Sequence, residues 1–166
     1  MHCYAAGFQR RRIAASHSLS PTDPKACLTE LERRCSSAGV PVTPQRRIVL
    51  EVLAERLDHP SAEQIFGAVA ERMPEVSRGT VYRSLDKLHE LGLLHRVEHP
   101  GSSTRYDANT TPHHHFLCTR CGAIEDLPLD AVRGHEELAL VHAGRRVAAS
   151  ISVNVRGLCA TCAAAG

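Results

Sequence analysis

Two short cysteine pairs, CTRC at 118–121 and CATC at 159–162, stand 37 residues apart and constrain this chain more than any other feature. Each CxxC lets two thiolates approach one ion from a tight turn, and two such pairs complete a tetrahedral four-cysteine zinc site. The gap exceeds that of a simple zinc ribbon, so the ion is expected to close a whole sub-domain. A redox CxxC is the rival reading, but it sits singly before a helix, whereas here there are two and the second follows a predicted strand. The expected ligands of a structural Zn(II) are therefore Cys118, Cys121, Cys159 and Cys162. Seven cysteines is an odd number. Cys3, Cys27 and Cys35 have no partner at metal spacing and are expected to be plain thiols. Paired CxxC motifs suit a reducing compartment better than disulfides, which predicts a cytoplasmic protein.

The first pair belongs to a denser run, HHHFLCTRCG from His113 to Gly122. If the thiols saturate zinc, the histidines serve something else. On an extended segment His113 and His115 project from one face, which suits chelation of a second ion, while His114 points away. Carboxylates able to join them are Asp107, and Glu125 or Asp126 beyond the first CxxC. A mixed nitrogen and oxygen site of this kind suits Fe(II), Mn(II) or Zn(II) better than Cu(I). The alternative is a run of surface histidines.

The chain has 166 residues, enough for one medium domain or two small ones. Helix signals dominate up to about residue 95. Lys25 to Ser37 is one predicted helix. Thr43 and Pro44 open a second, with Ile48, Val49, Val52 and Leu53 as its buried stripe. Ser61 and Gln64 form a capping box for a third, running to about Arg72. Ser77 caps a fourth, SRGTVYRSLDKLHEL, whose Val81, Leu85 and Leu88 face a core. LLHRVEH and STRYDA, joined by PGSS, read as a hairpin. Beyond a hinge near Asp107 to Pro112, HFLC and AIEDL are strand-like, a helix is predicted over Leu129 to Val141, and RVAASISVNV reads as one long strand.

Helices followed by a hairpin is the order of a winged helix-turn-helix, which lays its last helix in the major groove. The exposed face of that helix carries Arg78 and Arg83 for phosphate or guanine, and Tyr82 for a thymine methyl or a phosphate. Thr80 belongs to the same face, and the free N–H groups at Ser77 add an anion site. An ordinary solvated face is the blander reading, and charge lends it weight. Lys25 to Arg105 holds 12 Lys and Arg against 11 Asp and Glu, and the whole chain is only +2. With mean hydropathy −0.20, no apolar run reaches membrane-spanning length. The opening MHCYAAGFQRRRIAASHSLSPTDP has no apolar signal core, so residues 1–24 are expected to be a disordered extension.

GVPVTPQRRIVLEVL, DHPSAEQIF, VSRGTVYRSLDKLHELGLL, TRYD, HHHFLCTRCG and GLCATC, in this order, resemble the ferric uptake regulator family of repressors over about residues 25 to 162. The resemblance implies an α+β chain. Residues 25–108 would form a winged-helix DNA-binding domain, and 109–166 a small α/β dimerisation domain with the four-cysteine zinc. It also implies a homodimer that clamps a palindromic double-stranded operator when a regulatory Fe(II) or Mn(II) is bound. His59, in the HPxA motif, joins the regulatory set with Asp107, His113, His115 and Asp126.

Aspartate at both carboxylate positions resembles the peroxide-sensing branch, in which Fe(II) directs oxidation of a ligand histidine, here His59 or His113. An iron-uptake or zinc-uptake regulator of the same family is the alternative. Pro112, and the absence of histidine from Ala148 to Val153, suggest that a third metal site known in some members is missing. Arg10 to Arg12 would be a minor-groove arm at most. A zinc hydrolase built on the two histidines would leave the recognition helix unexplained, and a zinc-stapled protein adapter would not bind duplex DNA. The chain is not expected to be an enzyme.

Overall fold

A computed structural model of the chain describes residues 23–98, 103–133 and 151–165. Four helices come first: α1 (Pro24–Ser37), α2 (Pro44–Glu55), α3 (Ala62–Arg72) and α4 (Arg78–Glu90). Each starts where its sequence says it should. Asp23, Thr43, Ser61 and Ser77 are N-caps whose side chains accept backbone N–H bonds from the first turn, and Pro24 and Pro44 occupy positions where no N–H is needed. The capping box of α3 is complete, with Ser61 and Gln64 each bonding the other's backbone N–H. Gly39 and Gly92, after α1 and α4, adopt positive φ of 69° and 64°, the left-handed turn that ends a helix cheaply only with glycine.

The helices share one core. Leu31, Val49, Leu50, Leu53, Ile65, Val69, Val81, Leu85 and Leu88 are almost fully buried within it. The expected stripe of α2 shifts slightly: Leu50 is buried completely and Ile48 only partly, because α1 and α3 pack on adjoining sides of the helix. After α4 come β1 (His95–Val97) and β2 (Arg105–Asp107), an antiparallel pair in which His95 faces Asp107. Part of the PGSS turn lies outside the described residues.

The second sheet is built from β3 (His114–Cys118), β4 (Ile124–Leu127) and β5 (Asn154–Gly157), in the order β4-β3-β5. β4 runs antiparallel to β3 and places Asp126 opposite His115. β5 runs parallel to β3 and places Gly157 opposite Cys118. A short helix, α5 (Ala160–Ala164), starts at Cys159.

Two expectations change here. RVAASISVNV was read as a single strand, but Ile151 to Val153 is irregular and β5 begins at Asn154; Arg146 to Ser150 lies outside the described residues. The helix expected from Leu129 begins as a single 3-10 turn, Leu129–Ala131, after which Val132 is extended. Residues 134–141 of that helix, and residues 1–22 of the amino-terminal segment, lie outside the described residues. Among the described residues no helix is long and apolar enough to cross a membrane.

Candidate metal centres and the exposed face of the fourth helix

Antiparallel and parallel pairing together create the four-cysteine cluster. Cys118 ends β3 and Cys159 follows β5. Because the two strands are parallel, both CxxC turns emerge at the same end of the sheet. The four sulfurs all lie within 4.8 Å of one another. Cys121 Sγ and Cys159 Sγ are 3.8 Å apart. Zn–S bonds of about 2.3 Å in a tetrahedron require an S···S edge of about 3.8 Å, so the set fits zinc and is far too open for a disulfide.

The backbone favours a thiolate at Cys118. N–H groups of Cys121 and Cys159 point at its sulfur, the latter at 3.3 Å, and draw its pKa down to about 5. Burial, together with hydrogen bonds that its S–H donates to the other sulfurs, pushes Cys162 up to about 12. Four thiolates cannot crowd together without a cation to neutralise them, and a divalent ion that takes sulfur ligands resolves the conflict.

The second cluster gathers His59, Asp107, His113, His115 and Asp126, one ligand atom from each within 4.8 Å of all the others. Three separate devices bring them together. His113, just before β3, and His115 within it alternate along the chain, with Nε2 atoms 2.9 Å apart. Strand pairing sets Asp126 across from His115. Residues before α3 dock on β2, where Tyr106 N–H donates to Pro60 O at 2.9 Å and Ser61 bridges to Arg105, and this carries His59 over Asp107. His59 Nε2 lies 2.9 Å from Asp126 Oδ1, and His113 Nε2 lies 3.1 Å from Asp107 Oδ2.

His59 has φ of 51°, the one positive value at a non-glycine residue among the described residues. The residue before a proline is ordinarily extended, so this backbone holds strain of about 1–3 kcal/mol. Strain of this kind accompanies function when the surroundings over-determine the conformation, and His59 is only 4% exposed. Buried His59 Nε2 and Asp107 Oδ2 have close neighbours within the set but no well-aligned hydrogen bond, which suits atoms that would ligate an ion.

The electrostatics agree with cation binding. Burial alone would raise the Asp107 carboxyl, but the facing His113 and His115 rings and the Asn109 N–H hold it far below its usual range. Burial likewise opposes charge on His113, yet Asp107 and the carbonyl of Thr111 lift it to about 9. Asp126 is lowered against its own burial by His59 and Asn109. His113 Nδ1 bonds the Thr111 carbonyl at 2.7 Å, which fixes the tautomer and leaves Nε2 for a metal. Glu125, the competing candidate, is not in the cluster. His114 is completely buried on the opposite face of β3, so it is neither a ligand of this cluster nor a surface residue.

On α4, Ser77, Arg78, Tyr82 and Arg83 are exposed and Thr80 is half-buried. One residue the sequence did not flag joins them: Glu63 of α3 pairs with Arg78 and accepts from Tyr82 Oη at 3.5 Å. Arg78 also stacks 4.7 Å from the centre of the Phe66 ring. Arg83 donates to Thr80 Oγ1 at 3.4 Å. Asn109 was missed as well; it touches both carboxylates of the second cluster.

A helical bundle with a hairpin wing, joined to a small sheet whose ligand cluster also draws on the bundle, defines a class: winged-helix chains with metal-binding elements at the hinge. Residues 37–154 match the model of the Ferric uptake regulator family, and the chain belongs to that family. The Peroxide-responsive repressor PerR of Staphylococcus epidermidis is 34% identical over 113 residues, covering 66% of this chain and 75% of that protein. A solved zinc uptake regulator complexed with zinc and DNA superposes with TM-score 0.66 at 28% identity, over 87% of this chain and 97% of that one. The Campylobacter jejuni peroxide stress regulator gives TM-score 0.63 at 29% identity, over 81% and 98%.

Proposed function

We propose that this chain is a metal-dependent, DNA-binding transcriptional repressor that responds to peroxide. In this reading residues 25–108 bind DNA and residues 109–166 dimerise, and the homodimer grips a palindromic operator in the cytoplasm. Cys118, Cys121, Cys159 and Cys162 hold a permanent Zn(II). His59, Asp107, His113, His115 and Asp126 hold an exchangeable Fe(II) or Mn(II).

The observation that carries this reading is the make-up of the second cluster. His59 comes from the bundle, Asp107 from the hairpin, His113 from the loop leading into β3, and His115 and Asp126 from the second sheet. A ligand set spread over both modules is satisfied at one relative orientation of the two. A metal that binds that orientation better than any other shifts the population toward it, and its differential affinity sets how far DNA affinity rises. Ser77, Arg78, Thr80, Tyr82 and Arg83 then meet the duplex, with Arg78 exchanging Glu63 for a phosphate or a base.

Five nitrogen and oxygen donors with no thiolate suit Fe(II), which when bound would activate peroxide so that, overall, one oxygen atom of H2O2 is added to a ligand imidazole and the other leaves as water, the ring losing the two electrons that peroxide gains. The residues' own part is to hold two imidazole rings, His59 and His113, within reach of that chemistry while the cysteine cluster stays apart. Oxidation of a ligand ring weakens metal affinity and so releases DNA. Similarity to peroxide-responsive repressors supports this branch; similarity to a zinc uptake regulator keeps metal-uptake control as the second reading.

Peptide mass spectrometry after a low dose of peroxide separates the two. Fe(II)-loaded protein is expected to gain one oxygen on the peptide holding His59 or His113, and Mn(II)-loaded protein to gain none. Unmodified histidines in the iron form, with DNA binding still metal-dependent, would reassign the chain to metal-uptake control.

A further inference from the structure

The loop from Asp107 to His113 does more than connect two modules. Asn109 sits at its centre and makes three hydrogen bonds. Its backbone N–H donates to Asp107 Oδ1 at 2.7 Å, its side-chain Nδ2 donates to Asp126 Oδ2 at 2.8 Å, and its Oδ1 accepts the Thr111 N–H at 3.2 Å. These partners fix the orientation of the amide, since a flipped side chain would turn an oxygen toward the carboxylate and an NH2 toward an N–H. Each carboxylate thus has one oxygen engaged by Asn109. The other oxygen of each remains inside the cluster, Asp126 Oδ1 beside His59 Nε2 and Asp107 Oδ2 beside His113 Nε2.

We propose that Asn109 is a positioning residue that occupies one oxygen of each aspartate, so that both carboxylates meet the metal through a single oxygen and one coordination position stays open to a small solute. The proposal rests on the metal-site reading above. A carboxylate binds a divalent ion through one oxygen or two, and an unrestrained one competes with water for any vacant position. Three imidazoles and two single oxygens make five donors, one short of the six that Fe(II) and Mn(II) readily accept. With Asp126 Oδ2 freed, the sixth donor comes from the protein and the position closes. Asn109 therefore sets which solutes can reach the ion, without touching it.

Water-proton relaxation of the Mn(II)-loaded protein counts coordinated waters directly and involves no peroxide. Wild-type protein is expected to show the contribution of a coordinated, exchanging water. Asn109→Ala, which keeps the backbone bond to Asp107 and removes the donor to Asp126, is expected to lose that contribution while retaining Mn(II), zinc and the dimer. Asn109→Asp, which keeps the acceptor for Thr111 but offers no donor, should lose it too. No coordinated water in the wild type, or one that persists in both variants, would overturn the proposal. Loss of Mn(II) binding by both variants would overturn it also, because Asn109 would then be needed for affinity and not for an open position. If the relaxation result holds and iron-loaded wild type is not oxidised by peroxide, the peroxide reading fails and the role of Asn109 stands.

Discussion

His113 uses its two ring nitrogens for different duties. Nδ1 is spent on the Thr111 carbonyl, and Nε2 faces Asp107, Asp126 and His115. In the metal-free chain that surrounding negative charge keeps the ring protonated to about pH 9. A metal must displace this proton, so Mn(II) affinity at the second site is expected to climb as pH rises toward about 9, close to tenfold per pH unit if one proton leaves. Titrations followed by the Mn(II) spin-resonance signal at pH 6.5, 7.5 and 8.5 check the slope, and a flat profile would remove His113 from the ligand set. The same pairing has an opposite effect on the empty protein. Because the folded pKa lies above the unfolded value of about 6.5, its stabilisation is complete below that pH and disappears as pH rises through about 9. Thermal melts of chelated protein across this window should record a falling midpoint.

Among the elements, α3 couples the two functional surfaces. Its N-cap Ser61 lies two residues after His59, and Gln64, the partner in its capping box, also accepts from Arg105 of β2 at 2.9 Å. In the same turn, Glu63 holds Arg78 and Tyr82 of α4. Glu63→Gln is therefore expected to strengthen DNA binding, since it removes a negative charge that competes with phosphate for Arg78. The gain should amount to a few-fold at low salt and shrink as salt rises. Operator titrations at two salt concentrations measure it, and weaker binding by the variant would mean that Glu63 orients Arg78 instead of competing for it.

How much of this was legible varies by element. The helices, caps, CxxC pairs and alternating histidines follow from local spacing, because each depends on neighbours within one turn or one strand. His59 does not: only the docking of Pro60 and Ser61 on β2 brings it to Asp107, and the family resemblance, not spacing, pointed to it. Glu63 and Asn109 escaped for the same reason, their partners lying 15 and 17 residues away. The start of β5 was misplaced because a continuous β-friendly stretch does not say which residues find a partner strand.

For the molecule as a whole, burial is uneven. The helices enclose a broad core, whereas among the described residues the second cluster of buried apolar side chains is Val97, Leu117 and Ile124. In the proposed reading the four cysteines help to hold the second sheet together. Cys159→Ser is expected to unfold the second sheet and abolish the dimer while α1 to α4 persist. Circular dichroism should retain most of its helical signal, while sedimentation reports a monomer and the zinc content falls to nothing. A zinc-free variant that stayed dimeric and melted at the wild-type temperature would show that the sheet stands without the metal.

The parallel partnership of β3 and β5 gives those cysteines a second consequence. The strands meet across a long stretch of chain, and the β-friendly run before Asn154 offers several ways to align. Sliding one strand by two residues keeps every side chain on its proper face but displaces the cysteine turns by about 6.6 Å. That exceeds the 4.8 Å spread of the sulfurs. Only the alignment that sets Gly157 against Cys118 completes the set, so an ion held by all four thiolates acts as a proofreader of strand register and makes misaligned sheets, which cannot hold it, the ones that come apart.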